Sequence, residues 1–263
     1  MSRAVDAVAG AGVVVTGGAG GIGAALARRF AAEGARVLVA DLDGDAARAV
    51  ADEVGGTAVA TDAATEDGVA RLVAAARDAL GAIDVFCANA GVAPTGGPDA
   101  AEADWALAWE VNVMAHVRAA RALLPDWLAR GRGHFVATVS AAGLLTSLGS
   151  APYSVTKHGA LAFAEWLSAT YRHRGITVQA VCPQGVRTRM LAETGPAGQL
   201  ILGPSAIAPE QVVDSLFAAM ADGRFLVLPH QEVAGYYATR ATEPDRWIAG
   251  MNKLQRKIEQ AGG

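Results

Sequence analysis

Short apolar runs alternate with longer stretches of helical period along most of the chain. The runs at residues 12–15, 36–40, 57–61, 83–88, 135–139, 176–181 and 225–228 have the length of buried strands and end in Gly, Asp, Asn or Ser. Between them, residues 24–33, 45–54, 65–80, 104–130 and 209–221 predict helices. A further helix starts at Ser150, which can cap free amides, with Pro152 tolerated in its first turn. Ala160, Leu161, Ala164 and Leu167 form its buried face. Such alternation predicts an α/β fold of the Rossmann type: a doubly wound, seven-stranded, mainly parallel sheet with helices on both faces. Residues 190–206 carry Gly195, Pro196, Gly198, Gly203 and Pro204 and read as irregular. With the turn before them, residues 186–206 have the character of a substrate lid. Thr242-Glu-Pro-Asp245 is a helix-start pattern, and Trp247, Met251, Leu254 and Ile258 follow as an apolar stripe. This predicts a C-terminal helical extension over residues 242–260, packed on its own subunit or against a neighbouring one. Lys253, Arg256 and Lys257 form its solvated face.

Composition narrows the picture. A chain of 263 residues, 52% hydrophobic and without a Pro/Ser-rich or charged linker, suits a single dinucleotide-binding and catalytic domain over residues 1–263. A net charge of −4 argues against a nucleic-acid or anionic-membrane surface. Cys87 and Cys182 fall inside strand runs, as buried reduced thiols of a cytoplasmic protein do. No metal-ligand spacing surrounds them or the five His, so no metal is expected. The apolar N-terminal run leads straight into the first strand, which argues against a signal peptide.

Candidate chemistry gathers at the strand ends. Thr16-Gly-Gly-Ala-Gly-Gly-Ile-Gly23 sits between the first strand and an alanine-rich helix, the context in which glycines admit a pyrophosphate to a helix N-terminus. Its glycines fit three spacings: a general dinucleotide fingerprint from Gly18, an epimerase-like one from Gly17, and Thr-Gly-x-x-x-Gly-x-Gly. Asp41 ends the second strand, where an acid bonds a ribose 2′-hydroxyl and repels a 2′-phosphate. It is also placed to cap the next helix, as are Asp43 and Asp45. With Leu42 following and no cation in the glycine turn, NAD is favoured over NADP. Asp62, Asn89 and Ser140 end later strands, where ligands of open α/β sheets bind. Tyr153 and Lys157 stand four residues apart on one helix face. An ammonium there would lower the phenol's pKa and fit it for proton transfer. Asn112 lies within a helical stretch, where Asn competes for backbone hydrogen bonds.

Thr16-Gly-x-x-x-Gly-x-Gly23, Asp62, Asn89-Ala-Gly91, Asn112, Ser140, Tyr153-x-x-x-Lys157 and Pro183…Thr188 occur in the order seen in the short-chain dehydrogenase/reductase family. The chain resembles its compact single-domain branch over residues 10–230. The resemblance implies an NAD-dependent oxidoreductase with Tyr153 as general acid/base and Ser140 orienting the substrate oxygen. Lys157 would bind the nicotinamide ribose and tune Tyr153, and Asn112 would hold a water linking Lys157 to solvent. The cofactor would rest on Gly17, Gly20, Gly21, Ile22, Gly23, Asp41, Leu42, Asp62, Ala63, Asn89, Ala90 and Gly91. Pro183, Val186 and Thr188 would close on its nicotinamide. One departure is Gln184, where the family pattern Pro-Gly-x-Val-x-Thr has Gly; Gln184 either shapes the pocket or reflects a turn shifted by one residue. Val92, Pro94, Ala141, Ala142, Leu144, Leu145, Leu148, Gln184, Met190, Leu191, Leu200, Ile201 and Leu202 are the expected substrate surroundings. Nearly all are apolar, which points to a neutral, largely apolar secondary alcohol or ketone. Helices 105–130 and 153–172 correspond to those that pair subunits in the family, so a homodimer or homotetramer is expected. Two alternatives remain at this level: a non-enzymatic dinucleotide-sensing regulator, and a sugar-nucleotide epimerase or dehydratase, for which the chain after the sixth strand is short.

Overall fold

The structure, a computed structural model, describes residues 8–262. Seven strands form one sheet in the order β3-β2-β1-β4-β5-β6-β7, every neighbouring pair parallel. They are β1 Gly12–Thr16, β2 Arg36–Asp41, β3 Thr57–Ala60, β4 Val85–Ala88, β5 Gly133–Thr138, β6 Ile176–Val181 and β7 Leu226–Val227. The helices are α1 Gly21–Ala32, α2 Gly44–Glu53, α3 Glu66–Leu80, α4 Glu102–Trp109, α5 Ala115–Arg130 and α6 Ala151–Tyr171. They continue as α7 Arg189–Ala192, α8 Gly195–Leu202, α9 Pro209–Asp222, α10 Glu232–Thr242 and α11 Pro244–Gly262.

The central strands β1 and β4 are almost wholly apolar because both of their faces are covered. In β1, Val14 joins a cluster with Phe86, Phe135, Leu123, Trp127 and Leu167 under α3, α5 and α6. Val13 and Val15 point the other way, to Phe30 and Phe217 under α1 and α9. Phe30 and Phe217 meet with ring centroids 4.9 Å apart. Chain order steps outward from β1 in both directions, β2 and β3 one way and β4 the other. Such a reversal opens a crevice at the carboxyl ends of β1 and β4.

The structure corrects the expected elements in several places. The long helix at 104–130 is broken by a π turn, Glu110–Met114, between α4 and α5. The stretch expected to be irregular holds two short helices, α7 and α8. Helix α10 was not expected. Only its Val233 is buried, so it carries almost no apolar periodicity to read. On α11, Trp247, Met251, Leu254 and Ile258 are half-buried while Lys253, Arg256 and Lys257 are exposed. This helix packs on α8 and α10 of its own chain, with Trp247 6.4 Å from the Tyr236 ring. No helix among the described residues is long and apolar enough to cross a membrane.

Candidate active site

The turn from β1 into α1 has conformations that only glycine adopts freely. Gly17 and Gly21 have φ of +60° and +52°. A Cβ on Gly23 would lie 2.0 Å from the Gly17 carbonyl oxygen, and one on Gly17 would lie 2.8 Å from the Ala90 Cα. These constraints pick out the Thr16-Gly-x-x-x-Gly-x-Gly23 spacing among the three. Gly20 differs: its φ is −166°, and a Cβ there would meet nothing within 4 Å. It caps α1 with no side chain on the first amides. Those amides and the open space over Gly20 fit a phosphate-bearing ligand.

Thr16 and Asn89 stitch β1 to β4 beneath that turn. The Thr16 hydroxyl donates to the Cys87 carbonyl at 3.2 Å and accepts from the backbone amides of Asn89 and Ala90 at 3.0 and 3.2 Å. The Asn89 side chain donates to the Thr16 and Gly17 carbonyls at 3.0 and 3.1 Å. Asp41 accepts from the Ala19 amide at 3.0 Å, so it braces the glycine turn as well as facing the crevice. The capping alternative goes to Asp43, which accepts from the Ala46 amide at 3.0 Å. Leu42 beside it is 74% exposed. Asp62, with Ala63 following, accepts from the Ala64 amide at 2.9 Å.

The four candidate catalytic residues come from three places: the end of β5, the π turn and α6, which carries both Tyr153 and Lys157. Ser140 follows β5; its hydroxyl accepts from the Ala142 amide at 3.1 Å and lies 3.5 Å from the Pro183 carbonyl. Ser150 caps α6 by accepting from the Tyr153 amide at 3.3 Å, which fixes the Tyr153 turn. Lys157 is 3% exposed and donates to the Thr138 carbonyl at 3.1 Å. Its ammonium stands 5.6 Å from the centre of the Tyr153 ring. Asn112 occupies the π turn, fully buried. Its amide donates to the Val92 carbonyl at 2.9 Å and to the Thr156 hydroxyl at 3.0 Å, and its oxygen accepts from the Val92 amide at 3.0 Å. A Cβ on Gly91 would sit 3.3 Å from the Asn112 oxygen and 3.4 Å from the Lys157 ammonium, so all three meet.

Electrostatics here differ from the expectation that Lys157 lowers the Tyr153 pKa. Burial raises the Tyr153 phenol, opposed by the Ser140 hydroxyl. Burial also pulls Lys157 down to about 8. Desolvation is the leading cause for both groups.

The turn after β6 faces the glycine loop across the crevice: the Thr188 methyl would be 2.9 Å from a Cβ on Gly21. Pro183 and Val186 are buried and Gln184 is half-buried. Gly185 has no positive φ; a Cβ there would strike the Leu202 carbonyl oxygen at 2.4 Å. Its glycine is required by the approach of the Leu202 backbone, and Gln184 follows directly on Pro183, whose carbonyl lies 3.5 Å from the Ser140 hydroxyl. Among the expected pocket residues, Ala141, Leu144 and Leu145 belong to the core layer under α6, with Leu144 1% exposed. Ala142 and Leu191 are also buried. Val92, Pro94, Leu148, Ile201 and Leu202 are half-buried and Met190 is exposed. The Leu200 side chain lies outside the described residues. Arg187 donates to the Ala206 carbonyl, and Arg189 pairs with Glu193 at 3.4 Å. No pattern in the sequence pointed to His230 and Arg240. Arg240 donates to the Leu144 carbonyl just past Ser140, and His230 bonds the Gln184 turn.

Residues 11–198 match the family model described as short chain dehydrogenase. A 1-deoxy-11-beta-hydroxypentalenate dehydrogenase of Streptomyces exfoliatus is 40% identical over 229 residues, 83% of this chain and 82% of the relative. A 2,5-dichloro-2,5-cyclohexadiene-1,4-diol dehydrogenase of Sphingobium indicum is 31% identical over 198 residues, 72% of this chain and 78% of the relative. A short chain dehydrogenase/reductase of Burkholderia phymatum, solved in complex with NAD, superposes with a TM-score of 0.82 at 27% identity, over 90% of this chain and 95% of that one.

Proposed function

The chain belongs to the short-chain dehydrogenase family and is an NAD-dependent oxidoreductase of small alcohols and ketones; within that class we propose that it oxidises a cyclic, largely apolar secondary alcohol, or reduces the matching ketone, with Tyr153 as general acid/base. The observation that carries this is the convergence of Ser140, Tyr153 and Lys157 beside the Thr16–Gly23 turn, with Asn112 meeting Lys157 at Gly91.

Each residue has a separate task. Gly17, Gly20, Gly21, Ile22 and Gly23 leave room and free amides for the pyrophosphate. Asp41 and Leu42 take the adenosine ribose, Asp62 and Ala63 the adenine, and Asn89, Ala90 and Gly91 the crevice floor. Pro183, Val186 and Thr188 line the nicotinamide end. NAD, when bound, supplies the acceptor for the carbon-bound hydride. Ser140 holds the substrate oxygen, and Tyr153 takes its proton as the carbonyl forms. Lys157, cationic below its pKa of about 8, stabilises the phenolate. Reduction runs the same steps backwards, the phenol giving its proton to the new alkoxide oxygen. Asn112 supports Lys157 from the π turn and holds a water that relays its proton to solvent.

Residues 186–206 act as the lid, and Val92, Pro94, Leu148, Ile201 and Leu202 offer the ligand a largely apolar wall. The relatives' names specify hydroxylated substrates, one of them a cyclohexadiene diol and the other a carboxylate. Here Arg187 and Arg189 are both engaged within the lid, which favours a neutral substrate. The test is kcat/KM across matched apolar cyclic alcohols, sugars and hydroxy acids. A sugar or carboxylate winning by more than about tenfold would contradict the neutral-substrate reading.

Asp41 predicts cofactor choice. Its carboxylate stands where a 2′-phosphate would be repelled, so NAD should exceed NADP in kcat/KM. Asp41→Ala should narrow the gap and, by freeing the Ala19 amide, weaken NAD as well. Equal use of NADP by the unmodified enzyme would overturn the assignment.

The pH dependence has a defined sign. Oxidation needs the phenolate, and burial raises the Tyr153 pKa, so oxidation should rise with pH through the neutral range. Reduction needs the phenol and should fall over the same range. Rate profiles in both directions check this; parallel slopes would contradict it.

Leu107, Trp109, Val155 and Trp166 are exposed apolar side chains on α4, the π-turn junction and α6. They support pairing of subunits through these helices, as a dimer or tetramer. Light scattering at micromolar concentration should give a multiple of the chain mass, and a monomer would refute it. The buried free thiols Cys87 and Cys182 support a reducing, cytoplasmic location, which cell fractionation would test.

A further inference from the structure

His230 lies between β7 and α10 and is 4% exposed. Its Nδ1 accepts from the Gln184 backbone amide at 3.1 Å, and its Nε2 lies 3.2 Å from the Ser205 carbonyl. A carbonyl can only accept, so Nε2 carries the proton and the ring is neutral in a single tautomer. One imidazole thus ties the chain entering the lid to the chain leaving it. The same two stems pair directly: the Arg187 amide donates to the Ile207 carbonyl at 2.9 Å and the Ile207 amide to the Gly185 carbonyl at 3.1 Å. The lid is anchored at its base, and Gln184 is the residue at the anchor.

Gln184 also follows directly on Pro183, which touches Ser140. The Pro183 carbonyl accepts from the Ala141 amide at 2.8 Å and lies 3.5 Å from the Ser140 hydroxyl. The Gln184 side chain is half-buried, and among the described residues its amide makes no hydrogen bond. A side-chain amide without a partner, one residue after the proline that touches Ser140, is free to pair with a ligand. It can donate and accept but bears no charge.

We propose that Gln184 is a specificity-determining residue that pairs with a second neutral oxygen on the substrate, close to the reacting carbon, and that His230 is the positioning residue that holds it there. The substrate class is a cyclic hydroxy-ketone, diol or diketone rather than an isolated alcohol. This rests on the oxidoreductase reading above and narrows its substrate.

The experiment compares cyclohexane-1,2-diol with cyclohexanol, and cyclohexane-1,2-dione with cyclohexanone. Where a probe binds without turning over, its inhibition constant against the best panel substrate is read instead. The intact enzyme should favour the two-oxygen member of each pair by about tenfold, the scale of one well-placed neutral hydrogen bond. Gln184→Gly should reduce that ratio to near one, chiefly through KM. His230→Ala should do the same. His230→Asn should restore much of it, because its side-chain oxygen can accept from the Gln184 amide. No preference in the intact enzyme, or a preference kept by Gln184→Gly, overturns the specificity claim. An unchanged ratio in folded His230→Ala overturns the positioning claim. Should His230→Ala fail to fold, His230→Asn against His230→Leu decides it, with equal ratios overturning it. NADH binding by fluorescence separates these outcomes from failure of the underlying reading: an enzyme that binds no NADH and turns over no member of the panel removes that reading and this inference with it.

Discussion

Replacing Tyr153 by Phe should lower kcat/KM by about 10²–10⁴-fold, the contribution typical of a general acid/base, while NADH affinity stays within a few-fold. The ring and its place on α6 survive the change, because Ser150 caps that turn through the Tyr153 backbone amide and not through the phenol. What disappears is the only hydroxyl in the cluster that can take the alcohol's proton with an ammonium in support. Ser140 cannot substitute: its oxygen already accepts from the Ala142 amide, and a serine hydroxyl is too weak an acid to share a proton at neutral pH. Turnover within a few-fold of the parent would remove Tyr153 from the chemistry.

Asn112→Ala should destabilise the protein by about 3 kcal/mol, since it removes the partner of two part-buried backbone groups and of the buried Thr156 hydroxyl, and a group left unpaired costs roughly 1–3 kcal/mol. The Val92 amide and carbonyl both lose their partner, and neither lies in a strand that could replace it. Thr156 loses less, because its hydroxyl also donates to the Pro152 carbonyl at 2.8 Å. For a chain of this size the melting temperature should fall by about 6–12 °C, from roughly 2–4 °C per kcal/mol. A shift below about 3 °C would mean that the π turn is held by something other than this amide. Activity should also fall, because Val92 follows directly on Gly91, where Asn112 and Lys157 meet.

Much of this site was legible because burial on both faces leaves a strong mark. Runs such as 12–15 and 37–40 read as unbroken apolar stretches, and the ends of the second, fourth and fifth strands are where Asp41, Asn89 and Ser140 stand. Caps were legible where one side chain does the work, as Ser150 does for α6. The π turn was not, because nothing local favours it. Asn112 is held by Val92 and Thr156, partners 20 and 44 residues away. Helix α10 escaped for the opposite reason: with one buried residue it has no apolar stripe. Gly185 was ambiguous because a glycine required by a neighbour's approach looks the same in sequence as one required by a turn. Only the position of the Leu202 carbonyl separates them. The expected lowering of the Tyr153 pKa failed because spacing on a helix shows which charges are near but not how dry the site is.

Hydride transfer between a secondary alcohol carbon and NAD, under the proposed control of Tyr153, has a direct isotopic signature. The most direct measurement uses cyclic secondary alcohols deuterated at the carbinol carbon, incubated with NAD and the intact enzyme, followed by mass analysis of the nicotinamide product. One deuterium should be carried into the reduced nicotinamide, with growth of its absorbance band, and neither should occur with Tyr153→Phe. Reduced cofactor that carries no deuterium, or a panel-wide absence of transfer by an enzyme that binds NADH, would contradict it.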